Sequence, residues 1–181
     1  MGIWLFLVCL LLILLYYDFR LRLAYCFDPQ NAYKNLHPLQ VHAANRIMSL
    51  ACIYGGLKIV VDKNLLDKLP KTFLLISNHQ SLADIPLLVH VLPDYMVRFI
   101  AKRELRRGVP ALSFSLRKAG HALISRQGDF RVARREMVKL AKRTRQGVCP
   151  TVFPEGTRTR TGRVGQFHAA AVRTILSTTR I

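Results

Sequence analysis

Fifteen apolar residues, Ile3 to Tyr17, run without a polar interruption. As a helix rising about 1.5 Å per residue they reach about 22 Å. A bilayer core is about 30 Å thick and calls for about 20 residues, so Met1, Gly2 and the stretch Phe19–Phe27 must contribute if the segment is to span. Tyr16 and Tyr17 suit a headgroup belt, and Arg20 and Arg22 follow at once; by the positive-inside tendency the chain after Tyr17 stays cytoplasmic. No basic stretch precedes the apolar run and no small-x-small site follows it, which disfavours a cleaved signal peptide. Phe6 stands where a myristoylation signal carries Ser or Thr. Residues 1–27 therefore read as a membrane anchor, spanning or interfacial, with a buried helix of a soluble core as the alternative.

Pro29, Asn31, Asn35 and Pro38 mark residues 28–38 as a linker. Over residues 39–59, Leu39, Ala43, Ile47, Leu50 and Tyr54 recur at helical spacing until Gly55-Gly56 breaks the pattern. This stretch carries little charge, so it is either a second membrane-contacting element or ordinary core. Residues 28–71 are thus expected to hold a linker and amphipathic helices.

From Thr72 the period changes. Phe73-Leu74-Leu75-Ile76 is a short continuous apolar run, as in a strand buried on both faces. A helix is expected over 81–91, a strand over 96–101, and a helix over 109–119 with Pro110 in its first turn. A strand over 121–125 follows. Residues 129–146 form an amphipathic helix: Asp129 caps it, Phe130, Ala133, Met137, Leu140 and Ala141 make its apolar stripe, and Gly147 ends it. A fourth strand over 148–153, a polar loop and a last helix from Gln166 complete the chain. Strand and helix alternate, so residues 72–181 are expected to be an α/β domain with a largely parallel sheet flanked by helices.

Composition changes this picture mainly through charge. The formal net charge is +18, which points to anionic partners: phospholipid headgroups, phosphorylated substrates or nucleic acid. From Arg98 onward 20 Lys and Arg face four acids, and the 129–146 segment carries seven of those cations. A surface drawn to an anionic phospholipid membrane fits; a solvated helix face is the plain alternative. No zinc finger, helix-turn-helix or RNP-like aromatic run is evident, so nucleic acid is not expected as a partner. The four cysteines, at 9, 26, 52 and 149, form no C-x-x-C pair and read as reduced thiols.

Two segments carry candidate chemistry. In Asn78-His79-Gln80-Ser81-Leu82-Ala83-Asp84 the His and Asp are five residues apart. On one continuous helix they would point about 140° apart. They meet only if His79 lies in the turn after the first strand and Asp84 on the first turns of the following helix. A carboxylate against one imidazole nitrogen fixes the tautomer and leaves the other nitrogen free as a general base. A structural hydrogen bond or a helix cap is the plain reading of such a pair. No second His stands four residues away and no Cys or Glu cluster accompanies it, so no metal is expected. The second segment is Phe153-Pro154-Glu155-Gly156-Thr157-Arg158, at the end of the fourth strand and on the same sheet edge as His79. Gly156 permits close backbone approach, and Arg158 offers a planar fork suited to phosphate oxygens. Glu155 sits among Arg158, Arg160 and Arg163, where it can orient them or bond a substrate hydroxyl; a basic surface turn is the plain alternative.

Together these segments resemble the glycerolipid acyltransferase family, the 1-acyl-glycerol-3-phosphate acyltransferases and their relatives. Asn78, His79 and Asp84 match its Asn-His-x-x-x-x-Asp motif, and residues 153–158 match Phe-Pro-Glu-Gly-Thr-Arg throughout. Gly120 to Arg126 is similar to the family's short strand ending in Arg. The resemblance implies acyl transfer from acyl-CoA or acyl-carrier protein to the free hydroxyl of a lysophospholipid, most simply 1-acylglycerol 3-phosphate giving phosphatidate. It implies His79 as the base, Asp84 as its orienting partner, and Arg126, Glu155, Gly156, Thr157 and Arg158 as holders of the glycerol phosphate. No cofactor is implied beyond the acyl thioester co-substrate. With no Gly-x-Ser-x-Gly elbow in the chain, no acyl-enzyme is expected. The family's fourth motif, an apolar strand with paired prolines, has no counterpart before Ile181. The resemblance therefore implies a C-terminally incomplete domain; the alternatives are a truncated, non-catalytic membrane-associated relative and, from the charge alone, a basic nucleic-acid-binding protein.

Overall fold

The computed structural model describes residues 2–125, 127–159 and 162–179, apart from the side chain of Lys63. Four parallel strands form one sheet: β1 (Leu75–Ile76), β2 (Met96–Lys102), β3 (Ala122–Ile124) and β4 (Val148–Val152), in the spatial order β1-β4-β2-β3. Among the described residues the α-helices are α1 (Gly2–Phe27), α2 (Ala32–Asn35), α3 (His37–Gly55), α4 (Lys63–Leu66), α5 (Asp84–Val91), α6 (Leu112–Lys118), α7 (Phe130–Lys142) and α8 (Ala170–Thr178). The α/β class with a parallel sheet is as the sequence pattern implies.

Side chains alternate across the strands and sort the layers. Val97, Phe99 and Cys149 face α3 and α5, meeting Val41, Ala44, Val89 and Leu92. Val148 and Val152 face the other way, against Leu140 and Ala141 of α7 and Ile175 of α8. The capping expected of α7 holds: the Asp129 carboxylate accepts from the Arg131 amide at 2.7 Å. The chain leaves through a 3-10 turn at Arg143–Gln146 and Gly147 at φ 85°.

Several expectations fail for reasons of tertiary context. The 73–76 run is not buried on both faces. Among the described residues only Leu75–Ile76 of this run pairs, and solely with β4, so β1 lies at the edge of the sheet and Ile76 is nearly half exposed. The helix expected over 109–119 starts at Leu112, because Ala111 adopts φ 58° and breaks the run after Pro110. Phe130 belongs to no apolar stripe: it is the first residue of α7 and points to solvent, while Met137, Leu140 and Ala141 do pack inward. The last helix begins at Ala170 rather than Gln166. The 28–38 stretch folds around Asp28, whose carboxylate accepts from Asn31 and Asn35 and so closes the turn into α2.

α1 is a single 26-residue helix, so the apolar run and the following polar stretch form one element. Its two halves differ. Tyr17 and Leu21 are buried against Leu36, Ala111 and Phe114, and Asp18 accepts from the Ala111 amide at 2.8 Å and from Arg22 Nε at 2.6 Å. The first three turns expose Ile3, Trp4, Leu5, Leu7, Val8, Leu11 and Leu12.

Arg98 of β2 lies in the core without a carboxylate. Its guanidinium donates to the carbonyls of Ala119 at 2.5 Å, Val97 at 2.9 Å and Tyr33 at 2.8 Å. Burial, with neighbouring Arg143 acting in the same direction, pushes its pKa down to about 10, so it remains a cation at neutral pH. It ties the sheet to α2 and to the turn before β3. Arg98→Met is expected to cost about 3 kcal/mol, since it strands buried carbonyls. Urea unfolding checks this; a loss below about 1 kcal/mol would contradict the assignment.

Candidate active site

The site lies where β1 and β4 end. Because these neighbours are parallel, their carboxyl ends meet at one edge, and that alone brings residues 77–84 beside residues 153–158. The pairing extends one step past β1, with the Ser77 amide donating to the Val152 carbonyl at 3.1 Å.

The turn after β1 wraps Asp84, the first residue of α5. One carboxylate oxygen, Oδ2, accepts from His79 Nδ1 at 2.8 Å, from the Gln80 amide at 2.8 Å and from the Ser81 amide at 2.9 Å. The start of a helix is also the positive end of its dipole. A carboxylate can only accept, so the proton of a neutral His79 ring sits on Nδ1 and the lone pair is on Nε2. His79 therefore stands in the turn and Asp84 at the helix start, the one arrangement in which the two can meet.

Glu155 joins this turn to the second motif. It is buried, with Oε1 accepting from the His79 amide and Oε2 from the Gly165 amide, each at 2.8 Å. The Thr159 amide donates to the His79 carbonyl at 3.0 Å. Gly156 turns the chain at φ 64°, a conformation that favours glycine, and its amide donates to the Phe153 carbonyl at 2.9 Å. Gly156, Thr157 and Arg158 are exposed at this edge. The structure thus brings His79, Asp84, Glu155, Gly156, Thr157 and Arg158 to one edge. Arg126 lies outside the described residues; β3, the strand that leads toward it, is two places from β4 in the sheet.

Sequence reasoning missed a column of rings. His79 stacks on Phe153 with centroids 4.3 Å apart and planes 19° from parallel. Phe99 follows at 5.9 Å from Phe153, and His121 at 5.8 Å from Phe99. Phe153 and His121 stand in segments singled out above, but spacing along the chain carries no signal that four residues from four segments stack.

A family model described as Acyltransferase matches residues 60–181. The chain belongs to the acyltransferase family. Comparison with solved structures adds the 1-acyl-sn-glycerophosphate (LPA) acyltransferase PlsC from Thermotoga maritima, at a TM-score of 0.62 and 26% identity over 93% of this chain and 70% of that one. Comparison with curated proteins gives no match.

Two histidines removed from water, His121 and His37, set a pH dependence in this acyltransferase. His121 Nδ1 accepts from the Phe99 amide at 3.0 Å, and burial, reinforced by Arg98 and Arg143, holds its pKa well below the usual imidazole value. Burial and Arg98 also lower that of His37. An unfolded imidazole titrates near about 6.5, so between the folded and unfolded values the unfolded chain binds more protons. The stabilisation is full above about pH 6.5 and is lost as pH falls below it, at up to about 1.4 kcal/mol per pH unit for each ring. Urea midpoints measured at neutral and mildly acidic pH should fall accordingly; a flat profile would show that neither ring is held neutral.

Proposed function

We propose that this acyltransferase acylates the free hydroxyl of a lysophospholipid, 1-acylglycerol 3-phosphate, with an acyl-CoA or acyl-carrier-protein thioester, giving phosphatidate. The observation that carries the reading is the His79–Asp84 hydrogen bond, which leaves Nε2 as the free base on the edge where Arg158 is exposed. Likeness to a protein described as an LPA acyltransferase supports the choice of acceptor.

In this mechanism His79 Nε2 removes the hydroxyl proton as the acceptor oxygen attacks the thioester carbonyl. The tetrahedral adduct collapses, the C–S bond breaks, and the thiolate recovers the proton from the imidazolium. The products are an ester and a free thiol. Asp84 holds the ring's orientation and stabilises its cationic form. Arg158, with Gly156 and Thr157, meets the acceptor phosphate. Glu155 serves the reaction as a brace, holding the His79 backbone against the phosphate-binding turn. Phe153 limits rotation of the imidazole. Arg126 is assigned to the phosphate on the strength of its motif alone. The exposed apolar turns of α1 attach the enzyme to an anionic phospholipid membrane, with the catalytic domain on the cytoplasmic side.

His79→Ala should lower turnover at least about a hundredfold while leaving the unfolding transition in place. Transfer of labelled acyl groups to 1-acylglycerol 3-phosphate measures this; near-normal turnover would remove the general base. Arg158→Ala should raise the KM for that acceptor about tenfold, the value of one charge-assisted hydrogen bond, and leave the KM for the thioester unchanged. A change confined to the thioester would reassign Arg158 to the donor.

A further inference from the structure

β3 lies at the opposite end of the sheet from β1. A cleft of about 270 Å³ opens at the amino end of β3, where Gly120 and His121 lead into the strand. Its other walls are the turn between α1 and α2, the last turn of α6, and α7. His79 and Asp84 follow the carboxyl end of β1, so the cleft and the candidate active site occupy diagonally opposed corners of the sheet. No step of the acyl-transfer mechanism uses the cleft.

The cleft is cationic. Arg117, Lys118 and Arg143 line it, and each is bonded to an uncharged oxygen. Arg143 Nη1 donates to the Gly120 carbonyl at 2.7 Å, Lys118 Nζ to the Tyr25 hydroxyl at 3.0 Å, and Arg117 Nη1 to the Arg106 carbonyl. Glu136 also lines the cleft, but it is paired with Lys139 at 2.7 Å. Asp18, which Arg117 influences, is paired with Arg22 at 2.6 Å. Arg143 acts on buried Arg98, and both act on His121, as like charges. A guanidinium carries five donors, and among the described residues Arg143 has one engaged.

His121 supplies an independent signal. Its Nδ1 accepts from the Phe99 amide at 3.0 Å, so the neutral ring carries its proton on Nε2. Nε2 is buried and has no partner among the described residues. A buried donor without an acceptor is costly, and native folds leave few of them. His121 lines the cleft, so an acceptor seated there can supply what the fold does not. The oxygens of an anion meet both demands: they accept from Nε2 and they neutralise the cations around it. Phosphate suits this lining, because its oxygens match the planar fork of an arginine and also accept from a lysine.

We propose that the cleft beside β3 is a phosphate-binding site, in which Arg143 and Lys118 hold the phosphate and His121 Nε2 donates to one of its oxygens. Ordinary small-molecule sites begin at about 300 Å³, so this cleft has room for a phosphate ion or a small phosphomonoester. Three successive ring contacts, through Phe99 and Phe153, separate His121 from His79. The site is therefore distinct from the turn that carries Arg158, and it does not depend on the acyl-transfer reading.

Nuclear magnetic resonance of the full chain with nitrogen-15 in its histidine rings tests this directly. The protein is kept in a maltoside detergent, which carries no phosphate, and the His121 signals are identified by their contact with the Phe99 amide proton. Inorganic phosphate should move the His121 ring nitrogens saturably, with half-saturation at or below about 1 mM. Arg143→Gln should weaken that saturation at least about tenfold, the effect of one charge-assisted hydrogen bond. Arg143 also supports Gly120, so Lys118→Gln, at an exposed position, is the second variant and should weaken saturation severalfold. Arg158→Ala should leave it unchanged. His121 signals that phosphate does not move, or that sodium chloride at the same ionic strength moves as far, would overturn the proposal. A response lost in Arg158→Ala and kept in both cleft variants would overturn it too, by placing the phosphate at the carboxyl ends of the strands. A parallel titration with glycerol 3-phosphate separates the sources: tighter saturation supports a phosphomonoester in the cleft, and equal saturation supports the free ion. The readout needs no turnover. A saturating His121 response in a protein without acyl transfer would remove the catalytic reading and support the cleft, and acyl transfer without the response would do the reverse.

Discussion

A buried carboxylate with both oxygens held by backbone amides is the constraint on which the site depends. Removing Glu155 from water is costly unless its charge is hydrogen-bonded, and the two amides available, those of His79 and Gly165, belong to segments 76 residues before it and 10 after it. The turn that holds His79 and Asp84, the turn after β4 and the loop leading to α8 can therefore separate only by leaving a charge without partners. This matters because β1 is weak by itself: two residues, one neighbour, one face partly in water. The carboxylate makes up at the strand's end what the strand's short ladder lacks.

The same logic runs through the interior behind the site. Arg98 is buried among carbonyls rather than carboxylates, and Arg143 donates to the Gly120 carbonyl at 2.7 Å. Two guanidinium groups close to His121 make protonation of that ring unfavourable, on top of its burial. A neutral His121 then accepts from the Phe99 amide and stacks on the Phe99 ring, which continues through Phe153 to His79. The His79 imidazole thus leans on a column whose far end is kept uncharged by the fold. The His79 and Phe153 rings lie 4.3 Å apart and 19° from parallel, a stacked contact that favours one orientation of the imidazole.

Much of this was legible in the chain itself. The class followed from the alternation of apolar runs and amphipathic stretches. The Asp129 cap and the Gly147 stop are local signals and acted locally. The contact of His79 with Asp84 was implied too, since five residues across a strand-to-helix turn leave few other geometries. What residues 73–76, Phe130, Arg98 and Glu155 do was decided only by tertiary structure. Whether an apolar strand is central or at an edge depends on which strand lies beside it. Whether a guanidinium or carboxylate is buried depends on carbonyls and amides tens of residues away. Spacing along the chain constrains contacts within a turn or two; pairing order and burial are set by distant segments that meet only when the sheet forms, and the partners of Glu155 exist nowhere but there.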